Sequence, residues 1–479
     1  MKTCVISSLV LAGLAVPALA DDSRDQEIAE LRSMVETLKG EVDVLRAEDS
    51  DQWLSAKRAE QIRGLVQDVL ADADTRANLQ GNGATSGYKS GFFVQSADGN
   101  WKLKLNGQLQ IRWTFNHQKN GTAGAGTTGN ASDQYGFTVR RAKLKFSGNV
   151  IDPSWTYKIT LVNERGSQPG VTQFNQGNTY AEDLWVKKSM ENDMYLKVGQ
   201  FKAPYLREEL VSSSKQLTVE RSMINNQFTY GWAQGVEVGM KNDTMWGRLW
   251  YGDGPNSLNR NFSQNSINSI VARFDYLLAG DWKAWGTMTG YGITENYASI
   301  GAAFEWFNQS EDRGAPVSEY GGMDASRNYG FTVDMAAGGS GWTAYTYFTM
   351  TDGKQDTTKG RAYGWVAQGG VDVAKDMQVF GRYELGDIKD YEASTTQAAA
   401  SGYRNGHDST LTVGMNYWPS GSKNVKFTAD FGYAFSFLNN NGTAPWSADY
   451  TSSGNGWRAD LNGAKGGQWL IRSQMQLVF

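Results

Sequence analysis

The sequence contains two histidines, His117 and His407, which are its candidates for acid–base chemistry near neutral pH. Both lie in or beside predicted loops, and no Ser–His–acid spacing is centred on either of them. We therefore expect both imidazoles to be solvated side chains without a catalytic role. A triad assembled in space stays open as an alternative, because geometry defines a triad and sequence order does not.

Other reaction chemistry has little support in the sequence. The segment GAGTTG carries glycines but lacks the Lys-Ser/Thr pair that phosphate cradling requires. Asp and Asn residues in the long polar segments offer oxygen ligands for calcium, yet none follows the spacing of a defined site. The sequence therefore predicts no enzyme, no cofactor and no metal site.

The first twenty residues, MKTCVISSLVLAGLAVPALA, combine a lysine, a short apolar run and the ending Ala-Leu-Ala. This pattern is typical of a secretory signal that is cleaved after Ala20. The one cysteine, Cys4, lies inside this signal, so the mature chain would contain no disulfide and no thiol site. Removal of Lys2 moves the formal charge from −4 to −5, which does not favour nucleic-acid binding.

The segment after the signal has helical periodicity. Apolar residues recur at alternating three- and four-residue steps, which is the a/d seam of a coiled coil: Ile28, Leu31, Val35, Leu38, Val42 and Leu45. A second amphipathic stretch continues to about Leu79. We interpret residues 21–80 as a self-associating stalk whose coiled-coil seam is on the order of 40 Å long. The alternative is a helical hairpin packed on the body of the protein. Residues 81–90 are interpreted as a linker.

Residues 91–479 are predicted to form an all-β domain. Segments of roughly ten residues with period-two alternation recur along it, a length that suits a tilted membrane-spanning strand. The predicted strands are 101–113, 135–148, 154–165, 179–189, 194–203, 234–242, 245–253, 267–278, 298–308, 327–337, 341–351, 362–374, 376–387, 407–418, 423–437 and 468–479. Beyond the signal, no stretch approaches the uninterrupted apolar run of a membrane helix.

The connections between these strands alternate between tight turns and long polar loops, which is the pattern of a transmembrane antiparallel β-barrel. The segment 282–293 can also be interpreted as a strand, but counting it as one would place the later long loops on the wrong rim. We therefore predict sixteen strands and treat this segment as an extended turn. The stretch GFFVQSADGNW before Trp101 adds a hairpin partner in the alternative, an eighteen-stranded barrel.

One face of each predicted strand is apolar and the other is polar, so the polar faces would line a water-filled lumen. Basic residues predominate on the inward faces of the first five strands: Lys102, Lys104, Arg112, Arg141, Lys143, Lys145, Lys158 and Lys197. Acidic residues predominate on the later strands: Glu237, Asp275, Glu305, Asp334, Asp372, Glu384 and Asp430. This order predicts a basic wall facing an acidic wall, and the alternative is that these charges only neutralise one another.

The final segment, QWLIRSQMQLVF, places Trp469, Ile471, Met475, Leu477 and Phe479 on one face. A last strand must close onto the first, because an open sheet edge is not stable in lipid. The terminal Phe479 also resembles the C-terminal signal of bacterial outer-membrane proteins, which implies recognition by the barrel assembly machinery.

Four segments carry a family resemblance: FTVRRAKLKFSGNV, YLKVGQFKAPYLREEL, VERSMINNQF and AQGVEVGM. They are similar to the phosphate-selective porin O/P family over about residues 90–479. The resemblance implies a sixteen-stranded trimeric pore, a third loop folded inward, and basic residues that guide anions to a lysine-rich constriction. The long connection after the fifth strand holds the constriction-loop candidates Lys202, Arg207, Glu208, Glu209, Lys215 and Arg221, whose mixed charges differ from a lysine-rich eyelet.

These observations predict a bacterial outer-membrane channel for passive diffusion of small hydrophilic solutes, with anion or phosphate preference and a periplasmic stalk. The expected partners are outer-membrane lipid, two further copies of the chain in a homotrimer, the assembly machinery, the solute anions, and a cell-wall polymer bound through the stalk. The alternative function is a structural tether in which the barrel is only an anchor. An outer-membrane lipase is the enzymatic alternative, and it requires a histidine within reach of a nucleophile.

Overall fold

The computed structural model describes residues 29–41, 63–67, 83–118, 133–164, 178–255, 257–259, 268–308, 317–320, 323–325, 327–355, 358–389, 406–436, 455–457 and 467–479. The chain divides into two compact units, Met1–Gly83 and Ala84–Phe479. The predicted signal peptide lies outside the described residues, as do the seam residues Ile28, Val42 and Leu45.

The N-terminal unit contains two described helices, α1 (29–41) and α2 (63–67). Three predicted seam residues on α1, Leu31, Val35 and Leu38, are exposed within the single chain. Helical structure over part of the predicted stalk is therefore present, and association of these apolar residues with another helix stays a prediction. None of the described helices is both long and apolar enough to cross a membrane.

The second unit consists mainly of antiparallel strands joined by hydrogen bonds. Its strands are β1 (Thr85–Tyr88), β2 (Phe92–Gln95), β3 (Lys102–His117), β4 (Asp133–Val150), β5 (Asp152–Glu164), β6 (Asn178–Ser189), β7 (Met194–Lys202), β8 (Trp232–Lys241), β9 (Met245–Gly252), β10 (Asn268–Ala279), β11 (Tyr297–Asn308), β12 (Val317–Tyr320), β13 (Met323–Ala325), β14 (Arg327–Gly339), β15 (Trp342–Gln355), β16 (Thr358–Ala374), β17 (Met377–Lys389), β18 (Gly406–Tyr417), β19 (Val425–Ala434) and β20 (Gln468–Val478). Every one of the sixteen predicted strands is present.

Sixteen of these strands close into a barrel, because β20 pairs antiparallel with β3. The short strands β1 and β2 form a hairpin whose second strand pairs with the first residues of β3. The hydrogen-bonded sheet therefore has eighteen strands, while the closed barrel has sixteen. The prediction of a sixteen-stranded barrel is confirmed, and the stretch before Trp101 adds a hairpin to the sheet without adding a barrel strand. A separate pair, β12 and β13, belongs to a long connection.

The segment 282–293 is not a strand. It begins with a short helix, α5 (Trp282–Trp285), whose first amides are capped by the side chain of Asp281. Trp282 and Trp285 pack edge-on against Trp246 at ring-centroid distances of 5.9 and 5.3 Å. The prediction of an extended turn is confirmed, and two of the apolar residues in this segment, Trp282 and Trp285, belong to a tryptophan cluster.

The strand faces alternate as predicted. On β14, Tyr329, Phe331 and Val333 are exposed and point outward, whereas Thr332 and Asp334 are buried on the inward face. Outward apolar residues are stable against lipid, while the inward polar residues require partners inside the barrel. The tight turns define one rim, here called the short-turn rim, and the long connections define the long-loop rim. In outer-membrane barrels the longer loops are extracellular.

The chain closes the barrel at its last residue. The backbone N–H of Gly107 donates to the carbonyl of Phe479 at 2.8 Å, and the N–H of Phe479 donates to the carbonyl of Gly107 at 3.1 Å. The Phe479 ring lies over Gly107, where an added Cβ would meet a ring carbon at 2.0 Å. A glycine at this position thus provides the space for the terminal aromatic ring.

We expect Gly107→Ala to lower the yield of folded barrel, because the methyl group displaces the Phe479 ring from the seam. Overpacking of this kind costs about 1–3 kcal/mol. Heat-modifiable migration in gels measures the folded fraction after refolding into detergent. The matched control is Gly136→Ala on β4, where an added Cβ meets nothing within 4 Å. Equal folded fractions for the two variants would show that the ring contact does not matter.

Candidate functional site

The connection between β7 and β8, residues 203–231, lies inside the barrel and is called the inserted loop below. It contains two short helices, α3 (Arg207–Leu210) and α4 (Met223–Phe228), and a 3-10 turn at Ser213–Lys215. Ser222 caps α4, since its hydroxyl accepts from the N–H of Asn225 at 2.8 Å. This is the position that the family resemblance assigned to an inward-folded third loop.

Apolar packing holds one side of the inserted loop against the inward faces of β10–β17. Leu217, Ile224 and Phe228 are buried in one cluster with Val366, Phe380 and other inward residues of these strands. Gly364 on β16 leaves room for the loop to approach the wall. An added Cβ at this position would lie 2.4 Å from an Ile224 methyl group. The loop therefore covers this part of the wall instead of crossing an open lumen.

Hydrogen bonds from inward strand residues fix the loop backbone. Lys426 donates to the carbonyl of Gln216 at 2.9 Å, and Asn416 donates to the carbonyl of Leu217 at 2.8 Å. Two carboxylates accept from loop amides, Asp430 from Val219 at 3.0 Å and Glu384 from Met223 at 2.6 Å. Two of the predicted acidic lumen residues thus bind the loop.

Glu220 is the principal charged anchor of the loop. Its carboxylate accepts from Arg140 Nε at 2.7 Å and from Arg141 Nη2 at 3.0 Å, and it also pairs with Arg112. All four side chains are buried. Burial alone would raise the pKa of the Glu220 carboxyl, but Arg140, Arg141 and Arg112 outweigh it and hold this pKa well below its ordinary value.

Glu209 forms a second charged anchor. Lys202 Nζ lies 2.6 Å from Glu209 Oε1, and Arg221 Nε lies 3.3 Å from Oε2. Burial would raise the pKa of Glu209, but Arg221 and Lys202 outweigh it and lower the pKa to about 2. The other loop candidates differ: Glu208 binds Ser222 and Tyr347, Arg207 binds Ser299 and the carbonyl of Trp285, and Lys215 is exposed.

We expect the inserted loop to stay in place down to low pH. Lowering the pKa of Glu209 from 4.5 to about 2 stabilises the charged form by on the order of 3 kcal/mol. Because this pKa is depressed, the stabilisation is present above the ordinary value and is lost as the pH falls through about 2. Single-channel conductance should therefore be steady from neutral pH to about pH 4. A step in conductance at pH 4 to 5 would contradict this expectation.

Within the described residues, most carboxylates of the predicted acidic wall are paired with arginines. Arg273 lies 2.6 Å from both Asp275 and Asp334, and Arg248 also pairs with Asp275. Two further pairs follow the same pattern: Arg472 Nε binds Asp430 at 2.7 Å, and Arg382 Nε lies 3.1 Å from Glu384. Glu305 accepts from the amide of Asn328 at 3.1 Å. On the acidic side these ion pairs favour the alternative interpretation, in which the lumen charges neutralise one another.

The basic side borders an open space beside the loop. A cavity of about 260 Å³ lies between the inserted loop and the inward faces of β3–β9, and it is called the lysine chamber below. Its basic lining residues are Lys143, Lys145, Lys158, Lys197, Lys202, Arg221 and Arg248, and its acidic lining residues are Glu182, Asp183 and Glu237. The chamber therefore has an excess of positive charge.

Most cations of the chamber are in ion pairs. Lys143 binds both oxygens of Glu182 at 2.5 and 2.6 Å, and Lys158 lies 2.9 Å from Asp183. Lys145 instead donates to the neutral side chain of Gln108 at 3.0 Å. Lys197 Nζ rests on the ring of Phe201, 3.6 Å from its centroid, and 5.1 Å from that of Trp185. Lys145 and Lys197 are thus the cations whose observed contacts are with neutral groups.

Aromatic rings form much of the remaining chamber lining: Trp185, Phe201, Trp232, Trp246 and Trp285. Lys202 lies 4.5 Å from the centroid of Trp232, and Arg248 lies 3.8 Å from that of Trp246. Such rings replace water around the cations and attract them through the ring quadrupole. A solute anion in this space would therefore displace few water molecules when it binds the ammonium groups.

Of the predicted lumen residues that do not line this chamber, three lie toward the short-turn rim. Lys102 and Lys104 are at the short-turn end of β3, where Lys102 lies over the ring of Phe93. Asp372 lies near the short-turn end of β16 and accepts from Gln378 at 3.0 Å. Of the remaining predicted residues, Arg141 binds Glu220 of the inserted loop. Glu237 accepts from the hydroxyl of Tyr195 at 2.8 Å.

Sequence reasoning missed several inward charges, among them Arg140, Glu182, Asp183, Arg248, Lys426 and Arg472. Strict alternation allows only one of two adjacent residues to face inward, so it cannot place both Arg140 and Arg141, or both Glu182 and Asp183, in the lumen. The β3–β4 register shifts between Gln110 and Ile111, and the β5–β6 register shifts between Ile159 and Leu161. A bulge at each shift turns adjacent residues to the same side. Adjacent charges in mid-strand were the available signal.

The histidines lie away from the lumen. His117 Nδ1 lies 2.6 Å from Asp133 Oδ1 at the long-loop rim, and its ring stacks on Trp469 at 5.3 Å. His407 is exposed at the start of β18. Over the described ranges, no group of three or more His, Cys, Asp or Glu side chains is arranged to hold a metal ion.

Comparison with known proteins now identifies the family. Residues 104–445 match the family described as phosphate-selective porin O and P. This match covers most of the chain and nearly all of the barrel. The chain belongs to the phosphate-selective porin O and P family. The family and the closed sixteen-stranded barrel establish an outer-membrane channel for small solutes.

Several solved structures of outer-membrane channels align with the backbone of this chain at low sequence identity. The anion-selective porin from Comamonas acidovorans is 13% identical, with 79% of this chain and 99% of that chain covered and a TM-score of 0.48. Salmonella typhi OmpF in complex with daunomycin is 14% identical, with 82% and 100% covered and a TM-score of 0.48. The outer membrane channel DcaP of Acinetobacter baumannii is 12% identical, with 79% and 97% covered and a TM-score of 0.47. No curated protein matches this porin.

Proposed function

We propose that this porin is a passive channel that prefers anions, with the inserted loop as its constriction and the lysine chamber as its selective region. The observation that carries the proposal is the charge of the chamber, in which seven basic residues face three acidic ones. A narrow channel with low-dielectric walls focuses such a field and raises the local concentration of counter-ions.

The distribution of ion pairs explains the direction of the preference. Four acidic residues of the later strands, Asp275, Asp334, Glu384 and Asp430, are paired with arginines, so they contribute little field to the open space. The acidic residues of the chamber are likewise held, by Lys143, Lys158 and the hydroxyl of Tyr195. The cations Lys145 and Lys197 then supply the positive charge that a passing anion meets.

Phosphate is the narrower form of the proposal. Ammonium groups are strong donors to phosphate oxygens, and the chamber brings five lysines to one space. These lysines come from strands β4, β5 and β7, whereas the loop itself has mixed charges. A phosphate-preferring constriction in this chain would thus be built by the barrel wall opposite the loop.

Assembly and the stalk belong to the same proposal. We propose a homotrimer in the outer membrane, inserted by the barrel assembly machinery through the Phe479 terminus, with residues 21–80 as a periplasmic coiled-coil stalk. The exposed stripe of Leu31, Val35 and Leu38 supports association of this helix with another helix. Contact between the stalk and a cell-wall polymer is a further part of the proposal.

The test is single-channel recording of the folded protein in planar bilayers. Stepwise ohmic openings and a reversal potential of anion-selective sign in a potassium chloride gradient are the expected results. Added phosphate should reduce the chloride current if phosphate binds in the chamber. A cation-selective reversal potential would overturn the anion preference.

A folded preparation without conductance would instead favour the tether. In that case deletion of residues 21–80 should weaken attachment of the outer membrane to the cell wall, measured by blebbing and by co-sedimentation with peptidoglycan. The same deletion in a conducting pore should leave the conductance of each barrel unchanged.

A further inference from the structure

The connection between β10 and β11, residues 280–296, folds into the barrel from the short-turn rim and is called the mouth turn below. The other short-turn connections between barrel strands contain at most seven residues. Ala284 and Met288 of the mouth turn are buried in one cluster with Leu217 of the inserted loop and Tyr345 of β15. Because Leu217 and Tyr345 lie inside the barrel, the mouth turn occupies part of the interior.

The far part of the mouth turn is fixed to β16–β18. The ring of Tyr291 stacks on Trp418, with ring centroids 4.0 Å apart and ring planes 6° apart. The hydroxyl of Tyr291 donates to Asp376 Oδ1 at 2.6 Å. Asp376 lies in the turn between β16 and β17, and Trp418 directly follows β18. We call these three residues the latch, because they fix a turn that starts at β10 to strands well beyond its neighbours β9 and β11.

Two glycines allow the mouth turn to pass close to the wall. An added Cβ at Gly290 would lie 2.9 Å from the backbone of Trp342, the first residue of β15. Gly292 has a φ of +69°, which residues with a side chain rarely adopt, and an added Cβ there would lie 2.8 Å from Lys423 Cε. The mouth turn is therefore in contact with the start of β15 and with the turn between β18 and β19.

The near part of the mouth turn supplies a wall of the lysine chamber. Trp285 is the last residue of α5 and lines the chamber together with Trp246. Trp285 Nε1 donates to Asp275 Oδ1 at 3.2 Å, and its ring lies 5.3 Å from that of Trp246. Trp246 lies near the start of β9 and α5 follows the end of β10, so both rings are on the short-turn side of the chamber. A solute that leaves the chamber toward the short-turn rim passes these rings.

The mouth turn also supports the inserted loop. The N–H of Met288 donates to the carbonyl of Lys215 at 3.0 Å. Arg207 Nη2 donates to the carbonyl of Trp285 at 2.9 Å, and the guanidinium carbon lies 5.0 Å from the centroid of the Trp285 ring. The two elements therefore form one continuous body along β10–β18. The space that they leave beside β3–β9 is the lysine chamber.

We propose that the mouth turn is a second constriction of the pore, in which Trp285 sets the largest solute that passes between the lysine chamber and the short-turn side. The inference rests on the proposed function as a channel, but not on its preference for anions. Trp285 borders the solute path, whereas Tyr291 is a positioning residue that acts through Trp285. Residues 282–293 form no strand, so the stacked rings and the hydrogen bond of the latch hold this segment in place.

The test is polymer exclusion from single pores in planar bilayers. Poly(ethylene glycol) lowers the conductance when it enters the pore, so a graded series of polymer sizes gives the largest size that enters. In Trp285→Ala, we expect a larger cut-off for polymer added on the short-turn side, because pore diameter controls passage at a narrow site. The cut-off from the long-loop side should not change, since the substitution keeps the backbone carbonyl that binds Arg207.

Variants of the latch separate positioning from packing. Tyr291→Ala should raise the same cut-off by a smaller amount and make the current noisier, because the mouth turn loses both contacts of the latch. Tyr291→Phe keeps the stacked ring and should retain the cut-off of the unmodified pore. The matched control is Trp365→Ala on the outward face of β16, which should change neither cut-off. Trp285→Leu provides the same comparison if Trp285→Ala does not fold.

Folded, conducting Trp285→Ala or Trp285→Leu pores with the cut-off of the unmodified pore would overturn the proposal, as would an equal change in Trp365→Ala. A Tyr291→Ala pore that loses only thermal stability would overturn the positioning role of Tyr291. A cation-selective unmodified pore would contradict the proposed anion preference alone, because the polymer is uncharged and its cut-off still reports the width of the passage.

Discussion

Replacing Lys145 and Lys197 together by glutamine is expected to abolish the anion preference of the pore. The other chamber cations are held in ion pairs, Lys143 with Glu182, Lys158 with Asp183, and Lys202 with Glu209. Lys145 and Lys197 contact neutral groups instead. Their loss therefore removes the excess charge while the ion pairs of the wall remain intact.

The size of this effect follows from the focusing of the electric field in a narrow channel. Clefts lined by one sign of charge raise the local counter-ion concentration by about tenfold or more. We expect the anion-to-cation permeability ratio to fall by about the same factor, toward unity. Reversal potentials in a potassium chloride gradient measure this ratio directly, and the conductance in symmetric salt shows that the pore is still open.

A matched double variant removes the same charge elsewhere. Lys89→Gln and Lys375→Gln alter exposed lysines in short turns and should leave the ratio unchanged. If this control and the chamber variant shift the reversal potential equally, net charge is responsible and the chamber is not the selective region. Retained phosphate block in the chamber variant would also show that phosphate binds somewhere else.

Replacing Glu220 by glutamine is expected to release the inserted loop. The substitution keeps the side chain nearly the same size but leaves Arg112, Arg140 and Arg141 without the carboxylate that they share. Removing one partner from a buried ion pair costs about 3–5 kcal/mol. Because Asp430 and Glu384 still hold the adjacent loop backbone, we expect a loosened loop and not an unfolded barrel.

The expected readout is a larger and noisier single-channel conductance, with the folded barrel still resistant to detergent. The control Glu295→Gln changes an exposed carboxylate in the β10–β11 connection and should have the conductance of the unmodified pore. Adding Arg140→Gln to Glu220→Gln removes one of the uncompensated cations. The double variant should therefore regain part of the lower, less noisy conductance of the unmodified pore. A Glu220→Gln pore with unaltered conductance would show that apolar packing alone positions the loop.

Local sequence patterns were sufficient for the barrel. Period-two alternation gave the sixteen strands and their inward and outward faces, because the side-chain period of a strand is a local property of the chain. Loop lengths separate the two rims and predict that residues 282–293 form a turn and not a strand. Closure through Phe479 followed from the instability of an open sheet edge in lipid.

The same patterns were insufficient for the lumen. Arg140 and Glu182 face inward beside Arg141 and Asp183 only because β-bulges interrupt the alternation. A bulge depends on the pairing of two strands, so neither strand alone reveals it. The ion pairs that neutralise Asp275, Asp334 and Asp430 likewise join residues far apart in sequence or on different strands.

The sequence by itself therefore determined a membrane barrel, its strand number, the outward apolar surface and the set of charges available to the lumen. Only the tertiary structure decided which of those charges face open space. The inserted loop packs its apolar residues on β10–β17 and binds Asp430 and Glu384, which leaves the lysine chamber beside β3–β9. The physical reason is that the two faces of a strand are set by residues close in sequence. The electric field in the pore depends instead on which distant charges form ion pairs and on which lumen charges the inserted loop covers.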